Sequence, residues 1–337
     1  MGAGRPRSRG VAAGLVAALA FATSGPVVKP LLEAGWSPGA AILVRLGLGA
    51  LLLAGPAVLA LRGRWDVLRR EWRLVVAFGT LGVAAASAFY FAAVERLPVA
   101  VALLVEYTGP LLLLGWTWAR SRRTPARQTL AGALLATAGL ALVLDLTGGA
   151  SLDPVGLLLA SGAAVGNAAY FLLTGRPTQL PAVTLAGAGM VVGVAVLAVL
   201  AATGLLPLHA PLVPVTVLGS TVPWWLPLLV VGTVPTAFAY GVSAVSVRLL
   251  GDRTASFLAL SEVLLAVALA WVLLDEVPLP VQLAGAALVV AGVALVRRGE
   301  AEPVPPTVEA PLVAPPRVPA VPDGAGPVRA VAADAAR

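Results

Sequence analysis

Apolar residues occupy this chain in long unbroken runs, not in the alternating or one-faced patterns of soluble elements. Ten runs stand out: 11–30, 39–61, 74–93, 99–119, 129–147, 154–174, 181–203, 223–247, 254–274 and 281–297. A helix needs roughly 20 residues to cross about 30 Å of hydrocarbon. A helix that is apolar on every side belongs in a core or a membrane. The runs therefore predict ten transmembrane helices. The tightest divisions are "VERLP" between the third and fourth runs and "TGRPTQLP" between the sixth and seventh. Each holds a proline, which ends a helix, and an arginine, which favours the membrane surface.

The pattern is also written twice. "LAGALLATAGLALV" at 130–143 returns as "LAGAALVVAGVALV" at 283–296, an offset of 153 (283 − 130). The same offset pairs Gly79-Thr80 with Gly232-Thr233, Ala102 with Ala255, Trp118 with Trp271 and Pro125 with Pro278. The unit is about five helices, residues 11–147 and then 154–298. An odd number per unit means that the second begins on the opposite face, so the halves lie inverted in the bilayer. Such repeats underlie alternating access in secondary transporters. The fold class expected is an all-α integral membrane protein, ten transmembrane helices in two inverted five-helix repeats. Gly132, Gly139, Gly285 and Gly292 recur every seven residues on one helix face. Small residues let backbones approach where lipid gives helices little hydrophobic reason to associate. The two glycine helices are expected to pack in equivalent, mutually facing positions.

Composition and charge agree. Hydrophobic residues are 59% of the 337 and charged residues 12%, against about 25% charge in a soluble domain. Seventeen basic residues fall in alternate connections: Arg5, Arg7, Arg9, then Arg62 to Arg73, Arg120 to Arg127, Arg176, Arg248, Arg253, Arg297 and Arg298. The other connections hold Arg96, with Lys29 near the end of the first run. Positive charge marks the cytoplasmic face, so both termini are expected in the cytoplasm of a bacterial inner membrane. The basic start "MGAGRPRSRG" leads into what is expected to be an uncleaved first helix. The +7 net charge thus reflects topology, and nucleic acid is not an expected partner. Residues 299–337, rich in proline and alanine, are expected to form a disordered cytoplasmic tail. Cysteine is absent and His209 is the one histidine, which excludes thiol chemistry and histidine or cysteine metal clusters. No nucleotide-binding or hydrolase motif occurs in a usable context, and no cofactor is expected.

Charges inside apolar runs are costly and mark function or pairing. Arg45 and Glu106 lie at similar depth from one face, where they can pair. Glu106 and Arg45 read either as a protonatable carboxylate with an anchor for an anionic group, or as a structural ion pair. Glu262 has no basic companion on its own run. It reads either as a proton-coupling or substrate group, or as a buried hydrogen-bond partner. Lys29 can snorkel to the surface or serve the pathway. Tyr107 and Thr108 adjoin Glu106, and Gly109-Pro110 must break the helix ladder there, a feature tolerated where backbone lines a cavity. Pro26 and Pro30 flank "VVK" in a comparable way. Asn167, Tyr170, Tyr240, Ser243 and Ser246 line the same space or make simple interhelical hydrogen bonds. Glu95, Asp275 and Glu276 read as interface charges.

The stretch "ASFLALSEVLLAVALAWVLLDEVPLPVQLAGAALVVAGVALV" at 255–296, with Arg45 early in the second run, resembles the drug/metabolite transporter superfamily in its ten-helix EamA-type branch. That family's alanine–x–glutamate–proline falls on Glu262, its late glycine–glutamate on Glu276, and its Q–x–x–G on Gln282 and Gly285. Val263 replaces the usual proline, Asp275 the usual glycine, and Arg123 stands in the first half where Glu276 stands in the second. "VERLPVAVALLVEYTGPLLLLG" at 94–115 is similar to threonine/homoserine and related amino-acid exporters, with E–x–x–G–P–L on Glu106, Gly109, Pro110 and Leu111. The resemblance covers 11–298. It implies a secondary transporter exporting small metabolites, amino acids or related compounds, with protons as the coupling ion, and working as a monomer or homodimer. Export of toxic organic compounds and uncoupled facilitation stay open as alternatives, as do a membrane enzyme and a scaffold.

Overall fold

Pro26 has no N–H to offer the carbonyl four residues earlier, and the first run breaks just before it, at Thr23. In the computed structural model this run is α1 (Gly4–Ala22) and α2 (Ser24–Glu33). The structure describes residues 4–121, 126–143, 152–174, 176–217, 219–250, 258–259 and 261–299. Arg123 and the segment from 300 onward, with the expected disordered tail, lie outside the described residues. α3 (Pro38–Leu61) starts where the Ser37 side chain accepts the Ala40 N–H at 3.2 Å, with proline at its first position, a combination that satisfies or removes orphan donors. It stops at Arg62 and Gly63, both in the left-handed region.

A short surface helix, α4 (Trp65–Arg70), precedes the third run. That run is α5 (Trp72–Ala77), a π-helical stretch Phe78–Ala85 and α6 (Ala86–Val94). The fourth run is broken, as Gly109-Pro110 requires: α7 (Val99–Glu106) ends in a turn at Tyr107-Thr108, and α8 (Gly109–Ser121) follows. Then come α9 (Arg127–Val143), α10 (Pro154–Thr174) and α11 (Ala182–Ala202). A hairpin of β1 (Val215–Val217) and β2 (Ser220–Val222) pairs Thr216 with Thr221. α12 (Trp225–Gly232), a second π-helical stretch Thr233–Phe238, α13 (Ala239–Leu250), α14 (Ser261–Leu274) and α15 (Pro280–Gly299) complete the chain. The two π-helical stretches lie where Gly79-Thr80 and Gly232-Thr233 repeat.

Among the described residues, six helices are long and apolar enough to cross a bilayer: Ser8–Glu33, Pro38–Leu61, Trp72–Val94, Pro154–Thr174, Ala182–Ala202 and Trp225–Ser243. The other four expected runs are helical in shorter described pieces. α14 and the Pro280–Leu295 part of α15 are apolar but short of that length. The interior is apolar, with Phe78, Phe91, Leu46, Met190 and Leu197 fully buried. Large apolar residues also cover the outside, Leu51, Leu59, Leu134, Leu158 and Val272 among them, as suits a surface meant for lipid.

Small residues set the tightest packing. α9 and α15 form the most extensive helix pair. A Cβ on Gly139 would come 2.6 Å from the Gly285 carbonyl, and one on Gly292 would come 2.6 Å from the Gly132 carbonyl. The glycine helices therefore face each other and run antiparallel. α3 and α11 pair in the same sense: Gly49 lies by Met190, Gly187 by Leu53, and Thr184 Oγ1 donates to the Ala57 carbonyl at 2.9 Å. α1 packs on α13 and α14, while α10 packs on α6, α7 and the first π-helical stretch.

The connections 34–37, 95–98, 203–224 and 275–279 gather at one end of the bundle, here the far end. Ser37 and His209 exchange backbone and side-chain hydrogen bonds there, and the Trp36 indole donates to the Pro211 carbonyl and stacks on Trp224. At the opposite end Ser246 Oγ donates to the Gly10 carbonyl, tying α13 to α1.

Candidate functional site

Arg45 projects from the second turn of α3 into the bundle and is buried. A buried guanidinium needs partners for its donors. Its Nε donates to Thr236 Oγ1 at 3.0 Å, and its charge lies 5.2 Å from the centre of the Phe91 ring. The expected alternative of an Arg45–Glu106 ion pair is not what forms: among the described residues no carboxylate oxygen lies within 4.0 Å of Arg45. The reason lies in the second π-helical stretch. There Thr236 Oγ1 donates to Val231, five residues back, at 2.8 Å, and its lone pairs face Arg45. Glu106, Glu262, Tyr90 and Tyr240 are nonetheless within electrostatic range of the guanidinium.

The break in the fourth run builds the next part. Glu106 is the last residue of α7, and its backbone carbonyl accepts from Asn167 Nδ2 on α10 at 3.4 Å. Tyr107, in the turn, donates its hydroxyl to Glu262 Oε2 at 2.7 Å. Glu262 is the second residue of α14, so this bond joins the two sequence halves. Gly109 is needed for contact: a Cβ there would come 2.6 Å from the Ala164 carbonyl on α10. Pro110 follows in the first turn of α8, where its missing N–H costs nothing. Tyr170 packs against Phe78 and Tyr240 against Phe21, and Tyr170 is in electrostatic range of Tyr240 and Glu262. Arg45, Glu106, Tyr107, Asn167, Tyr170, Tyr240 and Glu262 thus share one interior region. When all are ionised, its one cation and two carboxylates leave a single negative charge. A narrow cleft between α1, α13 and α14, lined by Gly14, Ala18, Phe21, Ser243 and Ser246, leads to Glu262. It offers about 30 Å³ of space to water-sized molecules.

Lys29 does not join that cluster, nor does it snorkel freely. It forms an ion pair with Glu276 and also donates to the Leu97 carbonyl at 3.4 Å. The second Glu276 oxygen accepts the Val99 N–H at 3.0 Å. Glu276 is therefore part of the interior structure, unlike Glu95 and Asp275, which are exposed. Sequence reasoning missed Thr236, Phe91 and Tyr90 as neighbours of Arg45. A threonine or an aromatic residue in an apolar run carries no signal of its own. Glu276 as the partner of Lys29 was missed as well, since charges at the end of an apolar run are ordinary.

Two segments, residues 8–145 and 154–298, match the model of the EamA-like transporter family. The chain belongs to the EamA-like transporter family, a family of membrane transporters of small solutes. A solved crystal structure of a protein aligns with a TM-score of 0.59 at 25% identity, covering 86% of this chain and 96% of that one. No curated protein matches. Two local features accord with the resemblance noted at 255–296. Asp275, where the pattern has glycine, adopts φ 54° just after α14, the left-handed cap conformation that glycine takes most cheaply. Gln282 Oε1 accepts the Leu279 N–H at 3.0 Å and so caps the start of α15.

Proposed function

We propose that this protein is a secondary transporter that exports small metabolites, zwitterionic amino acids or related compounds above all, by proton-coupled alternating access. The observation that carries the reading is the interior cluster of Arg45 with Glu106 and Glu262, built from both halves. A guanidinium complements a substrate carboxylate, and either glutamate complements an ammonium or takes up a proton in its place. Exchange of proton for substrate at one carboxylate couples the two flows, because each occupant favours a different conformation. Ser243, Ser246 and Glu262 line one narrow cleft, which supports access of a water-borne proton to that carboxylate.

Two inverted five-helix halves frame this cluster. Support comes from the antiparallel pairing of α9 with its repeat mate α15, and of α3 with α11. It comes also from the exchange of partners, α1 packing on α13 and α14 while α10 packs on α6 and α7. Charge placement supports termini in the cytoplasm, at a bacterial inner membrane, with the far end as the outer face. The working unit is one chain, alone or in a homodimer.

The test is flux through the purified full chain in liposomes, with labelled amino acids and aromatic organic cations offered with and without a pH gradient. Amino-acid flux driven by the gradient is expected, and Glu262→Gln should lose the pH dependence. Gradient-driven flux that is unchanged in Glu262→Gln would remove Glu262 from coupling. Flux of organic cations alone would favour the toxic-compound alternative, and flux indifferent to pH would favour a facilitator.

A further inference from the structure

We propose that Glu276 and Lys29 form a latch at the far end of the pathway, positioning residues that hold α7 against α14 and so keep Tyr107 on Glu262. The proposal rests on the alternating-access reading above. The geometry is a clasp at both ends of one short helix. α7 has eight residues, about 12 Å at 1.5 Å per residue. Its first residue, Val99, gives its N–H to Glu276 just past the end of α14. Just past its last residue, Tyr107 gives its hydroxyl to Glu262 at the start of α14. The two helices are antiparallel, and each bond joins one sequence half to the other.

Glu276 is suited to hold this contact reversibly. Pro98 precedes Val99 and has no N–H, so Val99 offers the first orphan donor of α7, and a carboxylate there is favoured by the helix dipole. The other carboxylate oxygen takes Lys29 from α2. α2, α7 and α14 touch one another. The paired side chains are 18% and 16% exposed, shielded enough to bind and close enough to water to be rehydrated when they part. In this conformation the Glu276 contacts tie α7, α14 and α2 together at the far end. Release of solute at the far end requires α7 to leave α14, and these are the polar contacts that must break.

The chain has no cysteine, so introduced thiols report alone. In the reconstituted full chain, Lys29→Cys with Glu276→Cys is bridged by a short, reductant-cleavable bifunctional thiol reagent. Bridging should stop flux, reductant should restore it, and the single variants treated alike should keep theirs. Undiminished flux in the bridged protein overturns the latch, since a contact that never opens can be tied without effect. A second measurement needs no flux. Ala102 on α7 is fully buried, and Ala102→Cys should react with an impermeant maleimide several-fold faster when Lys29→Met or Glu276→Gln is added. Lys29→Arg should keep the slow rate. Equal rates in all backgrounds overturn the latch. If no variant moves any solute, the transport reading fails while the labelling rates still decide the latch.

Discussion

Asp153 shows how much a single residue at the end of a helix contributes through both neighbours and pH. It accepts the Val155 N–H at 2.9 Å at the start of α10 and pairs with Arg96 at 3.1 Å across the sequence halves. The hydrogen bond to Arg96, then the backbone bond to Val155, hold its carboxyl below the ordinary aspartate value of 3.8. A depressed folded-state value means that the unfolded chain binds the proton more readily, so stability rises with pH through this window. The contribution is present above about pH 4, the unfolded value, and fades as pH falls through the lower folded one. Asp153→Asn should therefore unfold at a lower temperature than the parent at pH 7, with the gap closing as pH falls through the lowered folded-state value. A gap that is independent of pH would show that the carboxylate's charge does not matter there. Arg45, Glu106 and Glu262 were legible because a charge inside an apolar run stands out against its surroundings. The role of Glu276 was not, because it lies at the end of a run, where charges are ordinary, and its partner Lys29 is 247 positions away. Local pattern holds no record of a contact at that separation.

Helices were legible as runs, and so were their breaks at Pro26 and Gly109-Pro110, since proline removes a donor wherever it stands. The π-helical stretches were not. Their residues are apolar on all sides, so a shift from four-residue to five-residue hydrogen bonding leaves no change in pattern, although it is what sets Thr236 against Arg45. The repeated glycines forecast α9 against α15, and the closeness of that pair permits a sharp test. A side chain at Gly292 has no free volume, since even a Cβ there would press on the α9 backbone at the Gly132 carbonyl. Overpacking a tight contact costs typically 1–3 kcal/mol, and here the obstacle is backbone, which cannot change rotamer. Gly292→Leu should lower the unfolding temperature of the detergent-solubilised protein by several degrees. Ala291→Leu, one position along on the exposed side of α15, should leave it nearly unchanged. Equal behaviour of the two variants would mean that the α9–α15 interface gives way easily.

At the scale of the molecule, a chain that writes its apolar pattern twice can either stack the copies in one sense or invert them, and the proposed unit of five helices, an odd number, favours inversion. The physical consequence is a molecule whose two mates, α9 and α15, are antiparallel across a shared seam, with Gly132 against Gly292 and Gly139 against Gly285. Such a seam exchanges with itself under a half-turn, whereas parallel mates would bring Gly132 beside Gly285. The same exchange relates the packing of α1 to that of α10, and the proposed transport cycle has the cluster around Arg45 and Glu262 between units that rock against each other. The symmetry is incomplete where chemistry needs it to be: Gly109-Pro110 in one half corresponds to Glu262-Val263 in the other, one position supplying a break and the other a carboxylate. Inversion makes a direct prediction for Pro125 and Pro278, equivalent positions in the two halves. Epitope tags inserted after each should report opposite faces of the membrane, the first cytoplasmic and the second external, in intact cells probed before and after permeabilisation. Tags on the same face would mean that the halves are parallel, and a pathway that opens alternately by exchanging equivalent halves would then have no structural basis.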